Sequence, residues 1–409
     1  MFTLYNLIST LCAMVVPLLI IGPFLPDLII SVLSIIFLIY ICINKKKKIF
    51  QNNFFYFFLA FWLFCIISSL LSDNILFSFK SSFFYIRIAI FALLISYLID
   101  QNKKILDYFY FTFFLTFSLL IIDGYLQYFT NKNLLGYESL GSQNYRFRIS
   151  SLFGDEYILG SYIVRLLPLY IALFFARTKK FKHENYIFFF KLILLSVLIF
   201  LSGERSSFIL YIVGSFFMLL MLNKFFFYRL CVLLISLILI ISIIFKDVAY
   251  RNRYLIAPFD HIDHNDKVIK YYFSPIHDSL IRTAWNIFSH NKVFGTGPKT
   301  FRIECKNEKY VTAVSSCQTH PHNFYAQLLA ETGLVGFSFL AALLIYLVFI
   351  SIKYLYIRIK KKKLIYTNYQ ICLFAGLLIT VWPITTNGNF FTNNLMILYG
   401  LQMGFFKKN

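Results

Sequence analysis

Apolar runs, each about as long as a lipid bilayer is thick, recur along almost the entire chain. A helix that spans a membrane needs about 20 mostly apolar residues, and in lipid only helices and closed barrels satisfy the backbone. The sequence predicts an all-α polytopic membrane protein with about 12 transmembrane helices, residues 1–409 forming a single transmembrane domain. The predicted spans lie near residues 4–21, 28–43, 54–71, 82–99, 105–126, 157–176, 186–202, 206–222, 230–246, 323–350, 365–385 and 391–406.

The composition agrees with this class and indicates which kinds of partner to expect. Hydrophobic residues make up 59% of the chain, and the net charge is +21. In a soluble protein that charge would suggest a nucleic-acid partner. In a membrane protein it first indicates cytoplasmic loops and anionic lipid headgroups. We therefore expect membrane lipids, and no nucleic acid, among the partners.

The distribution of lysine and arginine predicts which loops face the cytoplasm. Every second connection between the predicted spans is basic, from residues 45–48 to Lys407 and Lys408. By the positive-inside rule both termini are then cytoplasmic. Residues 127–156 and 246–321 form two loops on the outer side, where a membrane protein usually keeps its water-soluble chemistry.

The longer outer loop, residues 246–321, carries two cysteines close to its end. Cys305 and Cys317 lie 12 residues apart, and an oxidising compartment would permit a disulfide between them. A metal site built on the two is the weaker alternative, because no second close-spaced pair of cysteines exists. The run at residues 260–266 has suitable metal ligands, but its spacing matches no familiar site. We therefore predict no metal.

The stretch around His322 joins this loop to a long apolar segment. Pro321 suits a position at or just before a helix start because it lacks a backbone N–H, and we predict a helix from His322. Three polar residues then recur every fourth position as a stripe on one face: Asn323, Gln327 and Glu331. Two small residues below them would let another helix approach closely: Gly333 and Gly336. A titratable ring is thus predicted at the mouth of a membrane helix.

Arginines near the outer ends of the predicted spans are candidates for binding an anion. Arg205 lies between two predicted spans, and Arg146 and Arg148 lie before the sixth span. Arg282 lies on a predicted helix of the long loop. Guanidinium captures phosphate oxygens through paired hydrogen bonds and stays charged when partly buried. Alternatively these arginines are solvated charges, and Arg205 pairs with Glu204 or anchors the interface. With the histidine they predict a cationic site suited to a lipid-linked pyrophosphate.

Two further arginines fall inside predicted spans, where charges are costly and are functional candidates. Arg87 lies in the fourth span and Arg165 in the sixth. Either could guide a lipid phosphate. Either could instead pair with a backbone carbonyl or with Glu156.

These motifs resemble the signature of the O-antigen ligase and Wzy-type polymerase family. His322-Asn323 is followed, after nine residues, by Gly333-Leu334-Val335-Gly336. Other pieces occur in the family's order: Arg148 to Gly154, Ser202-Gly203-Glu204-Arg205-Ser206, Arg282 with Trp285, Phe294 to Pro298, and Cys317 with His320-Pro321, Gln327 and Glu331-Thr332. Where family members often carry Pro-Asn, this chain has Glu156-Tyr157. The resemblance covers residues 145–340 in detail.

The resemblance implies a membrane glycosyltransferase of the bacterial inner membrane, with its active site in the periplasm. It would use an undecaprenyl-diphosphate-linked glycan, invert the anomeric carbon, and need neither metal nor cofactor. His322 would be the general base towards the acceptor hydroxyl, and Arg205 and Arg282 would neutralise the leaving diphosphate. The implied substrate-binding residues are Arg146, Arg148, Asn323, Gln327 and Glu331, with Gly333 and Gly336 as packing residues.

The family signature does not identify the acceptor. A ligase transfers the glycan to lipid A-core oligosaccharide in lipopolysaccharide biosynthesis, a polymerase transfers it to another lipid-linked repeat, and a related branch glycosylates proteins. The single long outer loop and the cysteine-bearing approach to His322 favour the ligase. The alternative of another class is a flippase for lipid-linked glycan. It needs cavity-lining charges in the inner half as well, whereas the candidates gather on the outer side, apart from Arg87 and Arg165.

Overall fold

The computed structural model describes residues 4–140, 148–177, 182–257, 274–313, 315–360 and 363–406. Sixteen helices follow one another along these ranges. They are α1 (Leu4–Ile21), α2 (Phe24–Ile43), α3 (Asn53–Leu70), α4 (Ile75–Phe83), α5 (Ile86–Gln101), α6 (Lys104–Thr130), α7 (Leu159–Ala176), α8 (Glu184–Leu201), α9 (Arg205–Met221), α10 (Phe226–Lys246), α11 (Val248–Arg251), α12 (Pro275–His290), α13 (Phe301–Glu304), α14 (Phe324–Ile359), α15 (Asn368–Thr380) and α16 (Asn393–Gly404).

The helices confirm the predicted class of polytopic α-helical membrane protein. In the described ranges, nine are long and apolar enough to cross a membrane, counting Ile75–Gln101 as one, and α9 and α15 are shorter apolar helices. Extended pairing there is limited to isolated bridges, Lys132 with Glu138 and Leu140 with Arg148. Each predicted span overlaps a helix, but the fourth is divided into α4 and α5. The count of about 12 spans stays a prediction.

The described residues form two compact units. The first lies within Met1–Pro26, Leu98–Asp260 and Ile350–Thr380. Its central helix is α7, which is buried along almost its whole length and packs against α6, α8, α9 and α15. Because α7 is surrounded by protein, it can carry Arg165 within an otherwise apolar segment.

The second unit lies within Asp27–Tyr97, His261–Phe349 and Val381–Asn409. Its helix α16 packs closely on α5, since a Cβ at Gly400 would lie 2.5 Å from Ile88 Cγ2. Small residues permit such approach between apolar helices. The long loop adds a buried apolar cluster of its own to this unit: Leu280, Ala284, Ile287, Phe301, Cys305, Tyr310 and Ala330. This loop cluster joins α12 and α13 to the beginning of α14.

Gly333 interrupts the helical backbone of α14. Its φ is 62° and its ψ is −164°, a conformation that glycine adopts far more readily than other residues. A Cβ there would lie 2.3 Å from the carbonyl oxygen of Val293. The segment that packs against Gly333 is therefore the backbone of a loop, whereas we predicted a second helix there. Gly336 does face a helix, because a Cβ there would lie 3.1 Å from Phe64 of α3.

Backbone hydrogen bonds hold the loop at residues 292–297 against the interruption in α14. The N–H of Gly297 donates to the carbonyl oxygen of Glu331, and the N–H of Leu334 donates to that of Lys292, both at 2.8 Å. Gly295 is required for the same contact, since its Cβ would lie 2.4 Å from the backbone of Glu331. The two glycine motifs of the sequence thus meet in space.

Candidate functional site

His322 lies just before α14, which begins at Phe324. Our prediction of a helix from His322 is wrong by two residues, because His322 has a φ of 55°, outside the right-handed helical region. Its Nε2 lies 2.7 Å from Oε1 of Gln318. A carbonyl oxygen only accepts hydrogen bonds, so Nε2 carries the proton. The lone pair of Nδ1 is left as the proton acceptor of the ring.

Asn323 explains where the helix begins. Its Oδ1 accepts hydrogen bonds from the N–H groups of Tyr325 at 2.9 Å and Ala326 at 3.1 Å. Asparagine is a preferred N-cap because it satisfies donors that lack partners within the helix. Its Nδ2 also donates to the carbonyl oxygen of Pro383 at 2.9 Å. Asn323 therefore fixes the chain direction directly after His322, and a direct contact with substrate stays a prediction.

Two more imidazoles lie against His322. The centroid of its ring is 4.1 Å from that of His320 and 5.2 Å from that of His277. The Nε2 of His320 donates to the carbonyl oxygen of Asn387 at 3.2 Å, and its Nδ1 lies 2.9 Å from the hydroxyl of Thr319. Both nitrogens of His320 are thus engaged, which leaves His322 as the better proton acceptor.

The hydrogen bonds of this imidazole group also bear on metal binding. Nδ1 of His277 lies 2.7 Å from the Ser274 hydroxyl, and Nε2 of His322 is taken by Gln318. Across the described ranges, no group of three or more His, Cys, Asp or Glu residues has the geometry to hold a metal ion. The arrangement suits proton transfer. The alternative metal run at residues 260–266 lies outside the described residues.

Burial lowers the pKa of two of these histidines. For His322, burial and then the neighbouring His277 lower the pKa to about 4, with the Asn387 carbonyl opposing the shift. For His320, burial, His322 and Arg302 contribute to a pKa lowered to about 3. The ordinary value is about 6.5. Both rings are therefore neutral near pH 7, so His322 is ready to accept a proton.

The polar stripe predicted on α14 is buried. Glu331 is 0% exposed, and its carboxylate accepts hydrogen bonds from the N–H groups of Lys299 at 2.9 Å and Phe301 at 3.1 Å. Gln327 donates to Glu331 at 2.9 Å and to Oδ1 of Asn389 at 3.0 Å. These contacts tie two separate loops to α14. They give Gln327 and Glu331 a positioning role, and their predicted binding of substrate stays a prediction.

A disulfide joins Cys305 and Cys317. Cys305 belongs to the loop cluster, and Cys317 packs against its edge. Cys317 immediately precedes Gln318, the hydrogen-bond partner of His322. The bond therefore attaches the turn that bears the imidazole group to a buried core.

Arg282 lies on the solvent side of α12. Its side chain is 59% exposed, and its Nε lies 2.5 Å from Oδ2 of Asp278, which is 8% exposed. Because the guanidinium is exposed to solvent, this pair adds little stability, but it orients the Arg282 side chain. The predicted role of Arg282 at a diphosphate stays a prediction.

In the first unit, Glu204 binds the N-terminus of α7. Its Oε1 accepts hydrogen bonds from the N–H groups of Gly160 at 2.6 Å and Ser161 at 3.3 Å. A carboxylate is favourable at this end of a helix dipole. Burial nevertheless raises the pKa of Glu204, while Arg148 acts to lower it. Glu204 thus locks the short connection before α9 onto α7.

Cations gather around this carboxylate. Arg148 and Arg205 both lie within electrostatic reach of Tyr254, as does Glu204. Nη2 of Arg148 donates to the carbonyl oxygen of Tyr157 at 2.9 Å. The structure therefore brings together two of the predicted anion-binding arginines within one unit.

Arg253 joins this group, and sequence reasoning missed it. Its Nε donates to the carbonyl oxygen of Gly203 at 2.6 Å, within the short connection that precedes Arg205. The sequence analysis also missed Gln318 and His277. Gln318 contacts His322 across a turn, and His277 contacts it from α12. Only the position of Gln318, four residues before His322, gave any signal.

The remaining candidate arginines divide as follows. Arg165 donates to the Ser161 hydroxyl at 3.0 Å and lies within electrostatic reach of Glu204. Arg87 forms an ion pair with Asp27 at 2.6 Å. Of the alternatives for these two residues, the contacts support pairing within the protein. Arg146 lies outside the described residues.

These features define a class: a membrane protein of apolar helices whose long loop places a neutral histidine at the start of a membrane helix. Residues 190–341 match the family model Wzy_C, described as O-Antigen ligase. The matched part carries Arg205, Arg282 and the segment from His322 to Gly336. The predicted resemblance is thereby confirmed over residues 190–341, which are similar to the O-antigen ligase family. Comparison with curated proteins gave no match.

Proposed function

We propose that the protein transfers a glycan from undecaprenyl diphosphate to lipid A-core oligosaccharide, as an O-antigen ligase at the periplasmic face of the bacterial inner membrane. The observation that carries this proposal is the setting of His322. Its ring is neutral, its Nε2–H is held by Gln318 at 2.7 Å, and it directly precedes a membrane helix. A general base for a membrane-anchored acceptor needs these properties.

In the proposed reaction, Nδ1 of His322 takes the proton of the acceptor hydroxyl. The hydroxyl oxygen forms a bond to the anomeric carbon while the bond from that carbon to the diphosphate breaks. Attack and departure occur on opposite faces, so the configuration inverts. Gln318 fixes the tautomer and the ring orientation, which lowers the entropic part of the barrier.

The diphosphate departs with the bonding electron pair, and arginines stabilise its charge. Arg205 is the first residue of α9, so backbone N–H groups of a helix N-terminus add to its field. Arg148 is the second cation of this group. Arg282 would exchange its Asp278 partner for a phosphate oxygen. Arg148 and Arg205 belong to the first unit and Arg282 belongs to the second.

Gene deletion followed by gel analysis of lipopolysaccharide tests the reaction in cells. Lipid-linked polymer that accumulates without attachment to the core is the expected result. A core that carries a single repeat would instead identify a polymerase. Glycan retained on the cytoplasmic side would identify a flippase, and a normal pattern would contradict all three.

The purified protein allows a sharper test. His322→Ala should abolish transfer while abundance and thermal midpoint stay unchanged. His290→Ala is the matched control, because His290 is exposed on α12 and bonds to the carbonyl oxygen of Asn286 in its own helix. Retained transfer in His322→Ala would remove the base assignment. Transfer should also survive EDTA, and a loss that a divalent cation restores would contradict the metal-independent mechanism.

A further inference from the structure

Two neighbouring cations of the second unit form no ion pair among the described residues, although Glu331 lies within electrostatic reach of both. Lys299 belongs to the loop whose N–H groups donate to Glu331, and Arg302 directly follows that loop. The two cations are within electrostatic reach of each other. Both are partly buried. Within the described chain, neither the ammonium of Lys299 nor the guanidinium of Arg302 forms an ion pair or a hydrogen bond, and Nε of Arg302 is buried. Neighbouring like charges that are partly removed from water repel each other, and an anion bound between them would reduce this cost.

The nearby carboxylates are already engaged. Glu331 accepts two backbone N–H groups and the Gln327 amide. Arg87 is a third cation within electrostatic reach of Lys299, and it pairs with Asp27 at 2.6 Å. The group consequently keeps an excess of positive charge.

The backbone of Lys299 adds an independent observation. Its φ is 69°, in the left-handed region that disfavours lysine and favours glycine or asparagine. The hydrogen bond from its N–H to Glu331 fixes this conformation. A strained residue that the surroundings hold in place is typical of functional sites. Burial, and then the neighbouring Arg302, lower the pKa of the Lys299 ammonium, while Glu331 opposes the shift. A phosphate bound beside the ammonium would favour its charged form.

This group borders the imidazole group. Arg302 lies within electrostatic reach of His320, whose ring centroid is 4.1 Å from that of His322. A ligand whose phosphate binds at Arg302 would therefore place its neighbouring sugar hydroxyls near His322, the proposed base. Since the base acts on the acceptor hydroxyl, the neighbouring ligand is the acceptor.

We propose that Lys299 and Arg302, beside the Arg87–Asp27 ion pair, form a subsite for a phosphate group on the acceptor glycolipid. The subsite rests on the proposed function, and it sets a requirement that the function alone does not: the acceptor sugar must carry phosphate. The phosphate oxygens accept hydrogen bonds from Lys299 Nζ and the Arg302 guanidinium, and their charge relieves the repulsion among the three cations.

Transfer kinetics with two acceptors test this subsite. The probes are a phosphorylated lipid A-core glycolipid and the same glycolipid after phosphatase treatment. Lys299→Gln and Arg302→Gln should each raise KM for the phosphorylated acceptor about 10-fold, the size expected for a lost charge-assisted hydrogen bond. With the treated acceptor, parent and variants should be equal. Lys306→Gln, an exposed charge change close by in the chain, should match the parent throughout.

Three results would overturn the subsite. An unchanged acceptor KM in both variants would remove it. A raised KM for the donor would mean that the group binds the donor diphosphate. A loss of the same size with both acceptors would indicate a purely structural effect. Arg302→Lys keeps the charge but not the paired N–H groups, so it should raise KM for the phosphorylated acceptor less than Arg302→Gln does, with a thermal midpoint like the parent's.

A binding measurement separates this proposal from the proposed function. His322→Ala protein should bind the phosphorylated glycolipid about 10-fold more tightly than the treated one, and adding Lys299→Gln should remove the difference. If the parent protein transfers no glycan but this difference persists, the subsite stands and the ligase reaction falls. Equal binding of both glycolipids overturns the subsite alone.

Discussion

Oε1 of Gln318 lies 2.7 Å from Nε2 of His322, across the four-residue turn that follows Cys317. This contact selects one tautomer of the ring. Gln318→Ala removes the acceptor and lets the ring rotate, so we expect kcat to fall about 10- to 100-fold, as for other lost alignments of a reacting group. KM for the acceptor should change little. Steady-state transfer assays measure both constants.

Gln318→Glu is the matched variant for this contact. A carboxylate still accepts from Nε2–H and favours the protonated ring, so it raises the pKa of His322. We expect kcat near that of the parent at pH 8, with the acid limb of the profile moved to higher pH. Parent-like kcat and pH profiles in both variants would mean that Gln318 does not orient the base.

The lowered pKa of His322 predicts an unusual pH profile. The base must be neutral, and burial with His277 lowers its pKa to about 4. Transfer should stay nearly constant from pH 8 down to about 5 and decline as the pH approaches 4, whereas an unperturbed histidine would lose activity near 6.5. In the unfolded chain the ring takes up a proton near 6.5, so stability also falls as the pH drops below that value.

His277→Ala provides the control for the pH profile. It removes a neighbour that lowers the pKa of His322, so the acid limb should move towards higher pH. A profile centred near 6.5 in the parent would contradict the buried setting of His322. An acid limb that stays in place in the variant would contradict the contribution of His277.

Arg205→Lys should impair transfer strongly. An ammonium keeps the charge but cannot offer two parallel N–H groups to a diphosphate, so we expect kcat/KM for the donor to fall about 10- to 100-fold, the range for charge-assisted bonds. Arg251→Lys, on the short helix α11, is the control and should be neutral. Near-normal donor kinetics in Arg205→Lys would argue against diphosphate binding at α9.

Gly333→Ala should destabilise the protein more than an ordinary glycine substitution. Gly136 has a φ of 86°, and an added Cβ would meet nothing within 4 Å, whereas at Gly333 the Val293 carbonyl oxygen would lie 2.3 Å away. Gly136→Ala therefore reports the backbone strain alone, about 1 kcal/mol. We expect Gly333→Ala to lower the thermal midpoint further and to reduce transfer. Equal midpoints for the two variants would contradict the close approach of the loop.

The sequence predicted the helices well because membrane insertion depends on a local property. A window of apolar residues is recognisable whatever it packs against, and α1, Leu4–Ile21, coincides with the first predicted span. The N-cap of α14 was harder. Both His322 and Asn323 suit the positions around Pro321, and only the two hydrogen bonds to the Asn323 side chain decide where the helix begins.

The site was predictable only in part because its contacts are distant in sequence. The stripe of Gln327 and Glu331 follows from helical spacing, but spacing does not distinguish a stripe that faces substrate from one that is bound to loops. Its loop partners, such as Asn389, lie about 60 residues along the chain. The contact of His277 with His322 spans 45 residues, across the second half of the long loop.

A newly made chain carries Cys305 and Cys317 as thiols, because the cytosol keeps cysteines reduced. The turn bearing Gln318 and His322 is fastened to its core only when these thiols are oxidised. On the proposed topology, export of the loop and the fastening of His322, the proposed base, would be a single event. A chain that fails to translocate this loop would then lack the proposed transfer activity, and that activity would depend on the cell's thiol-oxidising machinery.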